Sequence, residues 1–97
     1  MIVIKWNKLA LQQFESAIEY IELDSPSNAE KIKRSILSKI DELQHHPEMH
    51  APDKYKLNND GSFKAFEIYH YRISYRYKNG EVRVIRVRHT AMNPKQY

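Results

Sequence analysis

Cysteine is absent, so neither a disulfide nor a thiolate metal site can staple this chain. That absence says nothing about redox compartment. No apolar run reaches the length of a membrane span or a signal-peptide core, and the expectation is a soluble, cytoplasmic protein with no membrane partner. Glycine occurs only at Gly61 and Gly80, which leaves no glycine-rich loop to cradle phosphates. No serine, histidine and aspartate stand at a spacing that argues for a nucleophilic triad. Internal repeats and low-complexity tracts are missing too. With 97 residues, one domain spanning 1–97 is expected, stable without staples though by no wide margin.

What the chain does have is arginine and tyrosine, unevenly spread. Residues 1–50 hold six Lys/Arg against eight Asp/Glu, a balance of −2. Residues 51–97 hold ten against four, +6, so the whole is +4. A basic C-terminal half fits a nucleic-acid footprint, an acidic protein partner, or simply a solvated surface.

The stretch from Phe63 to His89 organises that half. Tyr71, Ile73, Tyr75 and Tyr77 alternate with Arg72, Ser74 and Arg76, the period of a strand with one buried and one polar face. Lys78-Asn79-Gly80-Glu81 then supplies an Asn-Gly turn, and Val82 to Arg88 returns as a β-branched strand. A change of inward parity between Phe66/Ile68 and Tyr71/Ile73 predicts a turn or bulge at Tyr69-His70. The polar side of this hairpin is mostly guanidinium: Arg72, Arg76, and Arg86 or Arg88. Like charges facing each other across strands destabilise a sheet, so a polyanion or an acidic partner would explain them.

Upstream, Ile2 to Trp6 reads as a short strand buried on both faces, followed by Asn7 as a helix cap. Leu11, Phe14, Ile18 and Ile21, widened by Ala10, Ala17 and Tyr20, form the stripe of a first helix. Ser25-Pro26 starts a second, Ser27 to Glu30 also matches a capping box, and Ala29, Ile32, Ile36, Ile40 and Leu43 point inward. Lys31, Lys33, Arg34 and Lys39 face out, and His45-His46-Pro47 ends the helix. Residues 47–62 read as a loop, with an irregular strand around Tyr55-Lys56-Leu57, and Thr90 to Tyr97 as a loop-like tail. The expected fold is therefore α+β, order β-α-α-β-β-β: a helical hairpin packed on one face of a twisted antiparallel sheet.

Two clusters could carry chemistry. His45, His46 and His50 lie close, but Pro47 breaks the helix that would align them, so no metal site is assigned and an exposed helix end is expected. Arg72, Arg88, His89 and Tyr97 suit phosphodiester cleavage without a metal: arginine grips phosphate, and histidine and tyrosine move protons. The alternative is that Arg72 and His89 anchor a partner or bond within the sheet. Tyr69, Tyr71, Tyr75 and Tyr77 could stack bases, but such tyrosines more often form core.

The apolar strand ending in Trp6, the Ala10…Phe14…Ile18-Glu19-Tyr20-Ile21 helix, Asp24-Ser25-Pro26…Ala29, Leu43…Pro47-Glu48, the strand Phe66…Tyr71-Arg72-Ile73-Ser74-Tyr75 and the closing Val84-Ile85-Arg86-Val87-Arg88-His89 together resemble the RelE/ParE superfamily of type II toxin–antitoxin systems over almost the whole chain. The resemblance implies a toxin neutralised by a cognate antitoxin encoded beside it, with no cofactor. It offers two activities: a RelE-like mRNA endoribonuclease working on the ribosome and its message, taken as the leading expectation, or a ParE-like inhibitor of DNA gyrase without nuclease residues. For the nuclease, Arg72 matches a strand arginine, His89 falls near a catalytic histidine and Tyr97 near a terminal tyrosine. Phe63 and Ala65 stand where RelE has paired lysines, with Lys64, Lys54 and Lys56 nearby as substitutes. Asp53 stands where some members have a glutamate. The implied catalytic set is thus Arg72, Arg88, His89, Tyr97 and Lys64, with Lys54, Lys56, Arg76 and Arg86 contacting nucleic acid. The Asp-Ser-Pro linker and helical hairpin lean toward ParE-like chains.

Overall fold

The computed structural model describes residues 2–97. Strand β1 (Val3–Trp6) leads into helices α1 (Lys8–Glu22) and α2 (Pro26–Asp41), and a short 3-10 turn, Glu42–Gln44, closes the second. Strands β2 (Phe63–Ile68), β3 (Tyr71–Lys78) and β4 (Glu81–His89) follow, giving the expected α+β order. The last three form the expected antiparallel meander. β1 adds a fourth strand that the sequence did not place: it pairs parallel with β4, making a mixed sheet of order β1-β4-β3-β2. As an edge strand, β1 exposes Val3 and Lys5, so the expectation of burial on both faces is corrected.

Local chemistry explains most of the elements. Ser25 caps α2, its hydroxyl accepting from the Asn28 amide at 3.2 Å, and Pro26 fills the first turn. The alternative Ser27–Glu30 box does not form: Ser27 already lies in the first turn of α2, and Glu30 pairs with Arg34. Asn7 occupies the cap position of α1 but makes no cap bond; its side-chain oxygen accepts from Arg83 at 3.3 Å. α2 buries Ala29, Ile32, Ile36 and Ile40, with Leu43 just beyond. α1 buries Ala10, Phe14 and Ile18, whereas Leu11 and Tyr20, expected inside, are exposed. Lys39 is half-buried with its ammonium 5.8 Å from the Phe66 ring, not fully outward.

The sheet turns as the pattern predicts. Asn79 and Gly80 have φ of 54° and 73°. Tyr69 and His70 adopt the same left-handed conformation, at 50° and 67°, without glycine. This turn accounts for the parity change. A second irregularity was not foreseen: Ser74 pairs with Arg86 and Tyr75 with Val84, leaving Ile85 as a bulge. Its effect is to keep Val82, Val84 and Val87 all in the core while Arg83, Arg86 and Arg88 share the opposite face.

Residues around 55–57 are not a strand. Instead Pro52 bridges Lys64, and the Asp53 amide donates to the Phe63 carbonyl at 2.8 Å, so the loop covers the free edge of β2. Of the three clustered histidines, His45 and His46 are exposed as expected. His50 turns inward, its ring 4.8 Å from Phe66.

Candidate functional site

The sheet face away from the helices gathers Arg72 and Arg76 from β3 with Arg83, Arg86 and Arg88 from β4. Pairing sets Arg72 opposite Arg88 and Arg76 opposite Arg83, the like-charge arrangement a sheet avoids. Carboxylates of the same chain relieve it. Arg72 pairs with Asp53 at 2.8 Å and Glu67 at 2.9 Å, Arg76 with Asp60 at 3.5 Å, and Arg83 with Glu81 at 3.0 Å. Most of the arginine excess thus has an internal use, which corrects the inference that structure alone has little need of it.

Asp53 is the hub. Its carboxylate is inaccessible to solvent, yet it is held on all sides. Oδ1 accepts from Arg72 at 2.8 Å and from the Tyr55 amide at 3.1 Å. Oδ2 accepts from the Ser74 hydroxyl at 2.7 Å and the Tyr97 hydroxyl at 2.8 Å. Burial by itself would raise the Asp53 pKa, but these donors, Arg72 foremost, outweigh it and hold the carboxyl below its ordinary value. The tail is fastened to the same hub. The Leu57 amide donates to the Tyr97 carbonyl at 2.6 Å, and the Tyr97 amide to the Tyr55 carbonyl at 3.0 Å. The Tyr97 ring carries the Arg86 guanidinium at 4.1 Å. Burial and the neighbouring Asp53 carboxylate push the Tyr97 hydroxyl up to about 12.

Of the residues assigned to cleavage, Arg72, Arg88 and His89 line one small recess, whereas Lys64 and Tyr97 do not. Arg72 and Tyr97 do meet, but through Asp53, which occupies both. Lys64 pairs in register with Tyr75, so it lies on the helix-side face, where it donates to the His50 carbonyl at 3.3 Å. His89 pairs with Tyr71 on that same face; its Nδ1 accepts from the Ala91 amide at 3.0 Å, and its ring meets Tyr71 edge-on at 5.0 Å. Arg88 shares the Arg72 face and donates to the Asn93 carbonyl at 3.2 Å. Among the residues assigned to nucleic acid, Lys54 is exposed beside Tyr55, Lys56 lies 4.7 Å from the Phe63 ring, Arg76 bonds Ser62, and Arg86 is buried under Tyr97.

A sequence model for the ParE toxin of the type II toxin–antitoxin system parDE matches residues 4–94. The chain belongs to the ParE toxin family. The ParE assignment agrees with the fold: a solved structure described as the chromosomal ParDE TA system from P. aeruginosa superposes with a TM-score of 0.70, covering 92% of this chain and 96% of that one at 20% identity. No curated protein sequence matches the chain significantly.

In this ParE-family chain the residue that sequence reasoning undervalued is Asp53. It entered only as a position matching a glutamate in other members, and no local pattern marks it, because its three side-chain partners lie 19, 21 and 44 residues away. Its titration gives a test. A carboxyl whose folded pKa is depressed adds stability that is present above its unfolded value, about 3.9. That stability is lost as pH falls through the lower folded value. Tyr97 acts with the opposite sign: a raised pKa adds stability present below about 10 and lost as pH climbs toward about 12. Urea midpoints should therefore fall on both limbs. Asp53→Asn should flatten the acid limb and Tyr97→Phe should soften the alkaline one; unchanged limbs would contradict this account.

Proposed function

We propose that this chain is a growth-inhibiting toxin that binds and poisons DNA gyrase, is held in check by an antitoxin, and does not cleave RNA. The observation that carries this is the arrangement around Arg72. Two carboxylates already hold both terminal nitrogens of its guanidinium, Nη2 on Asp53 and Nη1 on Glu67, which leaves only the buried Nε–H without a partner. Stabilising a phosphorane-like charge needs donors aimed at the empty position where that charge develops. Here Arg72 Nη2 and the Tyr97 hydroxyl point at Asp53 and Arg72 Nη1 at Glu67, while Lys64 stands behind the sheet. A binding mode of action asks for none of these groups to be free. Family membership supports the same reading, since ParE-like chains are the gyrase-directed branch of the resemblance.

The test is made on one culture shortly after induction. Messenger RNA 5′ ends are mapped and plasmid supercoiling is read, alongside supercoiling by purified gyrase with the protein added. The expected outcome is intact messages, relaxed plasmid or gyrase-linked breaks, and inhibition in the purified assay. Codon-phased cuts in messages with normal supercoiling would overturn the proposal.

A further inference from the structure

Among the described residues, Arg86 and Arg88 are the two sheet-face arginines with no carboxylate partner. Arg86 is the more unusual. It is 8% exposed, stacks on Tyr97, and makes no hydrogen bond through its guanidinium. Among the described residues the buried arginine donor without a partner is Arg72 Nε, and leaving such a donor unmade costs its desolvation. Arg86 and Arg88 line a recess of about 50 Å³ together with Arg72, Lys95 and the Glu67 carboxylate. One water needs roughly 10–15 Å³ measured this way, so the recess takes a small polar head group. Four cations surround it against two carboxylates, Glu67 on its wall and Asp53 behind Arg72, which leaves two positive charges without a partner.

We propose that this recess is an oxyanion site that receives one side-chain carboxylate of an acidic polypeptide partner, gripped by Arg86 and Arg88. Arginine's planar fork matches a carboxylate with two parallel hydrogen bonds. A carboxylate suits the recess better than a nucleic-acid backbone for two reasons. Glu67 already contributes a negative charge to the wall, and Met92 and Pro94 of the tail give the recess an apolar side that a phosphate backbone would not match. The surroundings also suit a polypeptide. Arg88, His89 and Met92 belong to a second, larger groove of about 560 Å³ as well, where Ala17, Tyr20 and Val87 give an apolar floor beside α1. The partner segment therefore carries a Glu or Asp next to bulky apolar side chains, the acid entering the recess and the apolar groups the groove. This site stands independently of gyrase as the target.

The experiment follows the arginine Nε–H signals of the full chain by NMR at constant ionic strength. The probes are acetyl-Leu-Glu-Leu-amide, its glutamine counterpart and sodium phosphate. The glutamate peptide should give saturable shifts at Arg86 and Arg88, binding about tenfold tighter than the glutamine peptide. Phosphate should bind more weakly than the glutamate peptide. Arg88→Gln should bring the two peptides together, whereas Arg83→Gln, on the same face but outside the recess, should leave the difference intact. Equal binding of the two peptides would overturn the proposal. So would shifts that rise linearly and equally at Arg83. Phosphate saturating first would replace the carboxylate with a phosphate ligand.

Discussion

Asp53→Ala is expected to cost about 3–5 kcal/mol of folding stability, the range for removing one partner of a buried ion pair. The loss exceeds that of a single contact because four donors converge on this carboxylate. Without it, the Ser74 hydroxyl, wholly buried, has no acceptor, and Arg72 keeps only Glu67. Tyr97 would lose the bond that anchors the tail beneath Arg86. For a domain of this size the melting temperature should drop by about 12 °C or more. Chemical unfolding midpoints measure it directly, and a loss under about 1 kcal/mol would show that the network is ornamental. Arg72→Met leaves the mirror-image orphan, a buried carboxylate short of its main counter-charge. The pair Asp53→Asn with Arg72→Met should therefore cost less than the two changes summed. This bears on how toxicity data are read. Loss of toxicity in an Arg72 variant reports on folding unless stability is measured beside it.

The second large effect is expected at Tyr75. Its side chain is fully buried, its ring lies among Phe66 and His50, and its hydroxyl donates to the Pro47 carbonyl at 2.9 Å. Tyr75→Ala should cost about 3–5 kcal/mol through cavity formation at the centre of the sheet. Tyr75→Phe keeps the ring and removes only the bond to Pro47, so about 1 kcal/mol is expected. The contrast separates packing from hydrogen bonding. It also separates core from ligand platform, since a base-stacking tyrosine would tolerate alanine with a loss of binding and little loss of stability. Equal costs for the two variants would show that the hydroxyl, rather than the ring, holds the loop before β2 in place.

Tyr75 was legible as core from the sequence because its neighbours on both strands share its period. The same holds for the Asn79-Gly80 turn, the Ser25-Pro26 start and the isoleucine stripe of α2, where each signal lies within a few residues. Three features were not legible, each for a physical reason. The parallel pairing of β1 depends on where a helical hairpin delivers the chain, and no residue in Ile2–Trp6 encodes that. The exposure of Leu11 and Tyr20 reflects an α1 face that the sheet does not cover. Above all, the arginines looked unpaired because their carboxylates come from elsewhere in the chain: Asp53 and Asp60 lie in a loop that reads as featureless. The separation of Lys64 from Arg72 was not legible for a similar reason. Lys64 is a sequence neighbour of a sheet-face residue, and in a strand a neighbour is on the other side.

The bulge at Ile85 has a consequence for comparing this chain with its relatives. β4 carries one residue more than its partner strand needs, and omitting Ile85 would leave Val84, Arg86, Val87 and Arg88 on the faces they already occupy. Insertion or loss of a single residue here is silent in the hydrophobic pattern. Counting residues from Tyr71-Arg72 to the last strand will consequently misplace Arg86, Arg88 and His89 by one position whenever a relative lacks the bulge. Correspondences across this point are secure only when drawn from strand pairing.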